Sequence, residues 1–403
     1  MDILLDLGLV TIIAVAAGWG LGRAGITRNL AYMVAGVVAG FVLRPVIQPT
    51  LVASFDIVTA AALGFVTFGI GEDFTAASLR HMGARGPALA VVQALITFVL
   101  VCAGTILLGQ AGAFHLDHLV PEALVLAATA TSTAPEATFE VIRRQRARGP
   151  VTEAASVAVT LDDTVGIIVF DVCVVVARAM MGEGVAPGWG VVGASARELG
   201  LSVVLGLAAG AAYGAAERFL KSRSGIRVLG IGMVLLVVGL SRTWELSPLL
   251  SCLTLGAVFA NMAPAPQLVF EDIEDWSVPL EVIFFFLAGG TANFGLLRRL
   301  WPIAAAYVIL RAVGKLLGSR LAAVAVHASP SVRRYLGRAM LPQAGLAVGH
   351  ALLITSLFPD LAYITTTVIV AVLLFDVVGS WMTARALTRS GEAQPADQSA
   401  ATG

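Results

Sequence analysis

Apolar runs of about twenty residues recur from one end of this chain to the other, and that recurrence confines it to bilayer-spanning helices. A transmembrane helix needs roughly 20 predominantly apolar residues. Stretches of that kind fall near 3–22, 29–47, 55–79, 86–109, 121–142, 152–179, 192–215, 226–241, 246–262, 278–297, 301–326, 334–357 and 361–386, about thirteen in all. Hydrocarbon offers no hydrogen-bond partner to the backbone, so runs of this length must satisfy their amides internally as helices. Only 13% of the 403 residues are charged, and the mean hydropathy is +0.89. A soluble domain carries roughly 25% charged residues. The deficit extends along the whole length, so the fold class is an all-α polytopic membrane protein whose first partner is the lipid bilayer. Nothing in the pattern points to a nucleic acid. Gly is abundant, at 42 residues, as expected where helices approach closely through small side chains. Cys102, Cys173 and Cys252 each lie inside an apolar run, with no spacing that suggests a disulfide framework or a metal site.

The basic residues orient the chain, because cytoplasmic loops carry the excess of Lys and Arg. Odd-numbered loops and the C-terminus hold 18 of the 26 basic residues, among them Arg23, Arg28, Arg80, Arg85 and the run Arg143, Arg144, Arg146, Arg148. Even-numbered loops hold 6: Arg44, Arg178, Arg197, Arg242, Arg298 and Arg299. The N-terminus is therefore expected outside and the C-terminus in the cytoplasm, across a cell inner (plasma) membrane. Residues 3–22 read as an uncleaved first span, since Asp2 and Asp6 precede the apolar run and its positive charges follow it, the reverse of a signal peptide. The transmembrane domain covers 1–388, and a short polar tail, 389–403, is expected to be disordered. An odd number of spans suggests two inverted six-helix repeats, about 3–180 and 226–386, joined by a linker helix at 192–215. Transporters are often built this way, with sites between broken helices at the midplane.

One such break is expected in span five, Ala128-Thr129-Ala130-Thr131-Ser132-Thr133-Ala134-Pro135-Glu136. A hydroxyl residue, then Pro, then Glu is how a helix starts. Finding that start in mid-membrane implies an interrupted helix whose loose backbone groups face a polar site. The competing reading is a continuous span kinked at Pro135. Span twelve has the counterpart in Met340-Leu341-Pro342-Gln343-Ala344-Gly345.

The charges inside the spans carry the chemistry. Asp162 and Asp163 are adjacent in Val159-Thr160-Leu161-Asp162-Asp163-Thr164-Val165. With span six entering near Thr152, Asp163 is eleven residues deep, about 16 Å, half of a ~30 Å core. A helix starting near Thr160 would instead leave the pair as a solvated N-terminal cap; the apolar run 154–159 argues for depth. Arg311 and Lys315 fit in no loop and fall near mid-depth of span eleven. Intramembrane ionisable groups mark ion or proton pathways and find partners across helices, so one of these two bases is expected to face the aspartates. Neighbouring carboxylates titrate as a coupled pair, and a hard cation prefers oxygen ligands. Cation and protons would then compete for the same oxygens. Glu136 and Glu140, one helical face apart, either line a cytoplasmic funnel or pair with Arg143 and Arg144. Glu271-Asp272-Ile273-Glu274-Asp275 reads as a solvated loop, and Glu72 and Asp73 as interfacial. Asp171 either extends the outward path or bonds a neighbouring helix. Asp376 and Glu281 are intramembrane carboxylates without an evident partner.

Through these residues the chain resembles the monovalent cation:proton antiporter superfamily, in its bacterial Na⁺/H⁺ antiporter branch with a paired-aspartate motif. The resemblance spans essentially all of 1–388. It rests on Leu161-Asp162-Asp163, the 129–135 break, Gly314-Lys315-Leu316-Leu317-Gly318, Phe284-Phe285-Phe286-Leu287-Ala288-Gly289 and Leu341-Pro342-Gln343-Ala344-Gly345. It implies that Asp163 is the principal ligand for cation and proton, and that Asp162 alternately pairs with a base. Thr131 and Ser132 would supply oxygens from the crossing helices. The Gly-Lys-x-x-Gly context favours Lys315 over Arg311 as the counter-ion. It further implies no cofactor beyond the transported Na⁺ or Li⁺ and H⁺, electrogenic exchange, and a homodimer whose core domain moves against a dimerisation domain. One branch carries an aspartate in the span-five break, where this chain has Thr129-Ala130-Thr131-Ser132 as other branches do.

Competing functions remain at this level. Glutathione-gated K⁺/H⁺ antiporters usually carry a large cytosolic nucleotide-binding domain and a single aspartate, and both features count against that reading. A sodium-coupled organic-solute symporter would share the architecture without moving protons. Intramembrane aspartyl proteases, the enzymatic alternative, hold their acids on two facing helices. Adjacent aspartates about 100° apart on one helix cannot flank a single water in that way.

Overall fold

The computed structural model describes residues 3–23, 26–42, 49–83, 85–182, 189–220, 222–343 and 345–394. Arg44, Lys221, Ala344 and the end of the tail, 395–403, lie outside them. Sixteen α-helices are present among the described residues. In chain order they are α1 (Ile3–Gly22), α2 (Arg28–Val42), α3 (Pro49–Ile70), α4 (Ala76–Met82), α5 (Arg85–Gln110), α6 (Leu119–Thr129), α7 (Pro135–Arg144) and α8 (Pro150–Met180). There follow α9 (Trp189–Glu217), α10 (Arg223–Thr243), α11 (Pro248–Met262), α12 (Pro266–Thr291), α13 (Phe294–Ala325), α14 (Pro330–Ala339), α15 (Gly345–Leu357) and α16 (Ala362–Arg389). A 3₁₀ turn, Gly71–Phe74, extends α3. Each of the thirteen apolar stretches holds one helix or a pair in line. Six helices are by length and composition able to cross a membrane alone.

Local chemistry sets the helix starts. Proline opens α7, α8, α11, α12 and α14, where its missing N–H costs nothing. Ser222, Ser247 and Ser329 cap α10, α11 and α14 by accepting an amide three residues on.

The helices sort into two groups that pack chiefly within themselves. The first comprises α1–α3 and α9–α12. The second comprises α5–α8 and α13–α16, and it contains both broken helices. Glycine brings backbones together within the first group. A Cβ at Gly36 of α2 would stand 1.8 Å from the Phe286 carbonyl oxygen of α12, and one at Gly289 would stand 2.1 Å from that of Met33. Between the groups, α8 meets α9 and α11, α15 meets α3, and α16 meets α12 and α2.

Two expectations are corrected here. Glu271–Asp275 is not a loop: α12 begins at Pro266 and carries the segment as its first turns. Asp272 there accepts two bonds from Arg223, at 2.7 and 2.8 Å, and that guanidinium holds its carboxyl below the usual carboxylate range. Acidic residues on an exposed helix face carry no loop signature of their own, which is why composition misread them. The tail expected to be disordered from 389 is ordered through Gln394, because its backbone bonds to the α7–α8 loop. Gln394 N–H donates to Gln145 O and Arg148 N–H to Glu392 O, both at 3.0 Å. α8 is continuous from Pro150, so Asp162 and Asp163 lie well inside it, as the depth reading expects, and are not an N-terminal cap.

Candidate functional site

Both spans expected to break are broken. α6 stops at Thr129 and α7 starts at Pro135; α14 stops at Ala339 and α15 starts at Gly345. The two interruptions touch, with Ala134 N–H donating to Pro342 O at 3.1 Å. Each leaves carbonyls with no partner in their own helix. Arg311 of α13, fully buried, supplies donors to both. Its guanidinium reaches Ala130 O (3.2 Å), Ser132 O (2.8 Å), Leu341 O (2.7 Å) and Pro342 O (3.3 Å). A cation at two helix C-termini also meets their negative dipole ends. Arg311 therefore holds the crossing together and does not touch the aspartates.

Lys315, one turn further along α13 and fully buried, does. Its Nζ donates to Asp162 Oδ2 at 2.6 Å, to Thr133 Oγ1 at 2.8 Å, to Gln93 Oε1 at 3.4 Å and to Thr131 O. Asp162 also accepts from Gln93 Nε2 and from Thr133 Oγ1. Its buried carboxylate is thus fully engaged by three side chains.

Asp163 differs in every respect. It lies about 100° around α8 from its neighbour, and its buried Oδ1 has no hydrogen-bond partner. The Ser132 Oγ is likewise buried and unpartnered. Gly166 brings that break against α8: a Cβ there would stand 2.8 Å from Ser132 Oγ and 3.1 Å from Thr131 Oγ1. Three residues separate 163 from 166, so both sit on one helix face. Thr131 Oγ1 donates to Ala128 O at 2.8 Å, which leaves its lone pairs free.

Asp163 also lines a cavity of about 300 Å³ between the two helix groups. Six further carboxylates line it: Glu72, Asp73, Glu136, Glu274, Glu281 and Asp376. No lysine or arginine does among the described residues. Its lining extends towards the arginine-rich end, to Thr27, Asn29 and the 3₁₀ turn. The two glutamates left ambiguous by sequence separate. Glu136 faces the cavity and accepts from Asn29 Nδ2 at 2.6 Å. Glu140 does not line it; it pairs with Arg144 at 2.6 Å and Arg143 at 3.1 Å, as i, i+4 and i, i+3 spacing allows. Glu72 and Asp73, read as interfacial, belong to the cavity wall. Asp376 accepts from Thr27 Oγ1 at 2.6 Å, and Glu281 from Ser277 Oγ at 3.0 Å. Asp171 is buried, with its Oδ2 unpartnered. Beyond Asp163, towards the opposite end, α8 presents Ile167 and Phe170, both buried. Phe170 stacks on the His350 ring at 4.0 Å, and neither His350 nitrogen has a partner.

Sequence reasoning missed Gln93, Thr133, Tyr307 and Gln343. Tyr307 OH accepts from Gln343 Nε2 at 2.7 Å and contacts Thr129 Oγ1 at 3.2 Å, tying the second break to the first. A lone amide such as Gln93 inside an apolar run was a usable signal. Among the described residues no three His, Cys, Asp or Glu side chains converge as a metal site; the oxygens at Asp163 come from one carboxylate and hydroxyls.

Two crossed helix breaks, a buried ion pair between facing helices and a charged cavity ending at a carboxylate define a secondary transporter of the membrane. The solved structures agree on the fold. The sodium proton antiporter MjNhaP1 from Methanocaldococcus jannaschii at pH 8 superposes with a TM-score of 0.72 at 16% identity, covering 96% of this chain and 95% of that one. An electron-microscopy structure of the same antiporter gives 0.68, again at 16% identity, over 98% and 100%. No curated protein sequence matches significantly. The family model for the sodium/hydrogen exchanger, transmembrane, matches residues 9–387, and the chain belongs to that family.

Proposed function

We propose that the protein exchanges Na⁺ or Li⁺ for H⁺ by alternating access, with cation and protons competing at Asp163 and Asp162. One observation carries this: two adjacent buried carboxylates, of which Asp162 is saturated by Lys315, Gln93 and Thr133 while Asp163 keeps an unpartnered oxygen on the helix face whose Gly166 lies against an unpartnered Ser132 hydroxyl. Buried polar atoms without partners call for an explanation, and a hard monovalent cation takes such oxygens. Asp163, Ser132 and Thr131 hold the cation in this scheme.

The charge balance follows from the ion pair. A cation that reaches both aspartates competes with Lys315 for Asp162. Stripped of that carboxylate, a buried ammonium is unfavourable, and it leaves its proton behind as the neutral amine. One cation bound then releases one proton from Asp163 and one from Lys315, so each cycle moves net charge. On reprotonation Lys315 returns to Asp162 and Asp163 carries a proton across.

Access follows from the cavity. It joins Asp163 to the arginine-rich end, which we assign to the cytoplasm, while Ile167 and Phe170 close the other side. The conformation is inward-facing in this reading. Because the cavity lies between the groups, sliding of the second along the first would carry the site to the other face. The two sets α1–α8 and α10–α16, each with its broken span fifth, act as inverted repeats around α9, and the first group supplies the contact of a homodimer.

The test uses everted vesicles with a preformed pH gradient. Addition of Na⁺ or Li⁺ collapses the gradient for the wild type, and Asp163→Asn leaves it intact. Normal exchange by Asp163→Asn removes the site assignment. Failure of any monovalent cation to move protons at any pH removes the antiporter reading, and collapse by K⁺ alone replaces it with K⁺/H⁺ exchange.

A further inference from the structure

The helix that carries Asp162 and Asp163 has no cap of its own. Residue 149, where a Ser, Thr, Asp or Asn would accept the first amides, is Gly, and no side chain there caps α8. Pro150 has no N–H to satisfy. Glu153 N–H already donates to Gly149 O at 3.0 Å. That leaves the amides of Val151 and Thr152, both buried, as the orphan donors of the first turn.

They are satisfied by a residue more than two hundred positions away. Glu392, itself buried, accepts from Val151 N–H at 2.8 Å and from Thr152 N–H and Oγ1 at 2.7 Å each. The chain around it is shaped for this role. Gly391 adopts φ +79, ending α16 in the left-handed conformation that glycine favours. Gly149 adopts φ +152, and a Cβ there would stand 2.5 Å from the Glu392 carboxyl carbon. The segment is fastened on both sides by the Arg148 and Gln394 amides, and Gln145 Nε2 donates to Ala384 O of α16 at 3.2 Å. A carboxylate at a helix N-terminus also meets its positive dipole end.

We propose that Glu392 is a positioning residue for cation exchange: by capping α8 from the C-terminal segment, it fixes the axial register of Asp163 against the Thr131–Ser132 break. The inference rests on the assignment of Asp163 as the cation ligand. α8 runs unbroken from the cap to the site, a distance of about 18 Å at 1.5 Å per residue. Movement of its first turn is therefore passed to Asp163 rather than absorbed. The site tolerates little of it, because Gly166 already lies against Ser132 Oγ. Glu392 touches no cargo and accepts no proton in this scheme.

The test uses the full-length protein with Glu392→Ala, Glu392→Gln and, as an independent displacement of the same carboxylate, Gly149→Ala. Hydrogen exchange of the peptide spanning 149–155 reports the cap. Half-maximal Na⁺ concentration and maximal rate in everted vesicles report the site, with Asp163→Asn as control. Glu392→Ala is expected to deprotect 149–155 and to raise the half-maximal Na⁺ concentration about fivefold, the size of one lost helix cap, with the maximal rate nearly unchanged. Gly149→Ala is expected to do the same and Glu392→Gln, which keeps one acceptor oxygen, to fall between. Deprotection with an unchanged Na⁺ dependence would overturn the positioning role, and unchanged protection would overturn the cap. If Asp163→Asn itself exchanges normally, the failure belongs to the site assignment instead.

Discussion

Where α1–α3 and α9–α12 meet, they meet through glycine and hydrocarbon; where α5–α8 and α13–α16 meet, buried charges are set into the hydrocarbon. In the first group Gly36 and Gly289 let α2 and α12 touch backbone to backbone. Phe68, Phe259, Phe270 and Tyr213 fill its interior in a stack with centroids 4.1 to 6.3 Å apart. Its ion pairs Arg223–Asp272 and Arg242–Asp56 lie at the surface. The second group buries Arg311, Lys315, Asp162 and Asp163 in one network around two helix breaks. A dry, close-packed interior has one good arrangement and resists sliding. An interior of backbone carbonyls and paired charges can exchange one partner for another. In the proposed mechanism the first group is the fixed frame and the second the ligand-carrying part.

The contrast breaks most visibly at Lys315. Lys315→Ala leaves Asp162 buried with its ammonium gone, and breaking one side of a buried pair costs about 3–5 kcal/mol. The expected outcome is a markedly lower thermal midpoint in detergent, and less membrane potential generated per cation by whatever exchange survives. Adding Asp162→Asn should recover part of the midpoint, since partners in one network do not add. If the double variant is simply the sum of the two singles, the pair is not an energetic unit.

The first group should fail differently. At Gly36 a methyl group would fall 1.8 Å from the Phe286 carbonyl oxygen, which is backbone and cannot rotate away. Gly36→Ala is expected to lose about 1–3 kcal/mol by overpacking, while Gly20→Ala, with nothing within 4 Å, loses none. Molecules of Gly36→Ala that do fold should keep the wild-type Na⁺ dependence. A changed Na⁺ dependence would mean that the frame also shapes the site.

Much of this division was legible in the chain. A carboxylate pair deep in an apolar run, a lysine in another, and Pro-containing interruptions in both halves each violate the rules for a lipid-facing helix, so each announces itself. The partners that saturate Asp162 were harder to see. Gln93 and Thr133 are neutral, cost little where they stand, and reach Asp162 only because the breaks cross. Arg311 looked like an alternative counter-ion because depth alone cannot tell which base faces a carboxylate and which faces carbonyls. Glu392 left no signal, since capping between residues so far apart exists only after the chain has folded. Glu271–Asp275 misled for the opposite reason: charge density reads as a loop, yet the segment is helical, with Glu274 facing the cavity.

The smallest effect is expected at Glu136, where the two groups touch. Its carboxylate faces the cavity and accepts from Asn29 of α2 at 2.6 Å, so this residue of the second group bonds the first. Glu136→Gln keeps the shape and removes one of seven carboxyl groups lining the path. A cavity of one sign raises the local cation concentration, and the effect weakens as salt screens it. The half-maximal Na⁺ concentration should therefore rise about twofold at low ionic strength, and the difference should vanish when ionic strength is raised with an impermeant salt. Asn29→Ala separates the two roles of this contact. It leaves the charge in place and frees the carboxylate from α2, so it should change the maximal rate and spare the Na⁺ dependence. Were Asn29→Ala to shift the Na⁺ dependence as Glu136→Gln does, the bond between the groups would shape the cation path directly, and the separation into a frame and a ligand-carrying part would fail at this end of the cavity.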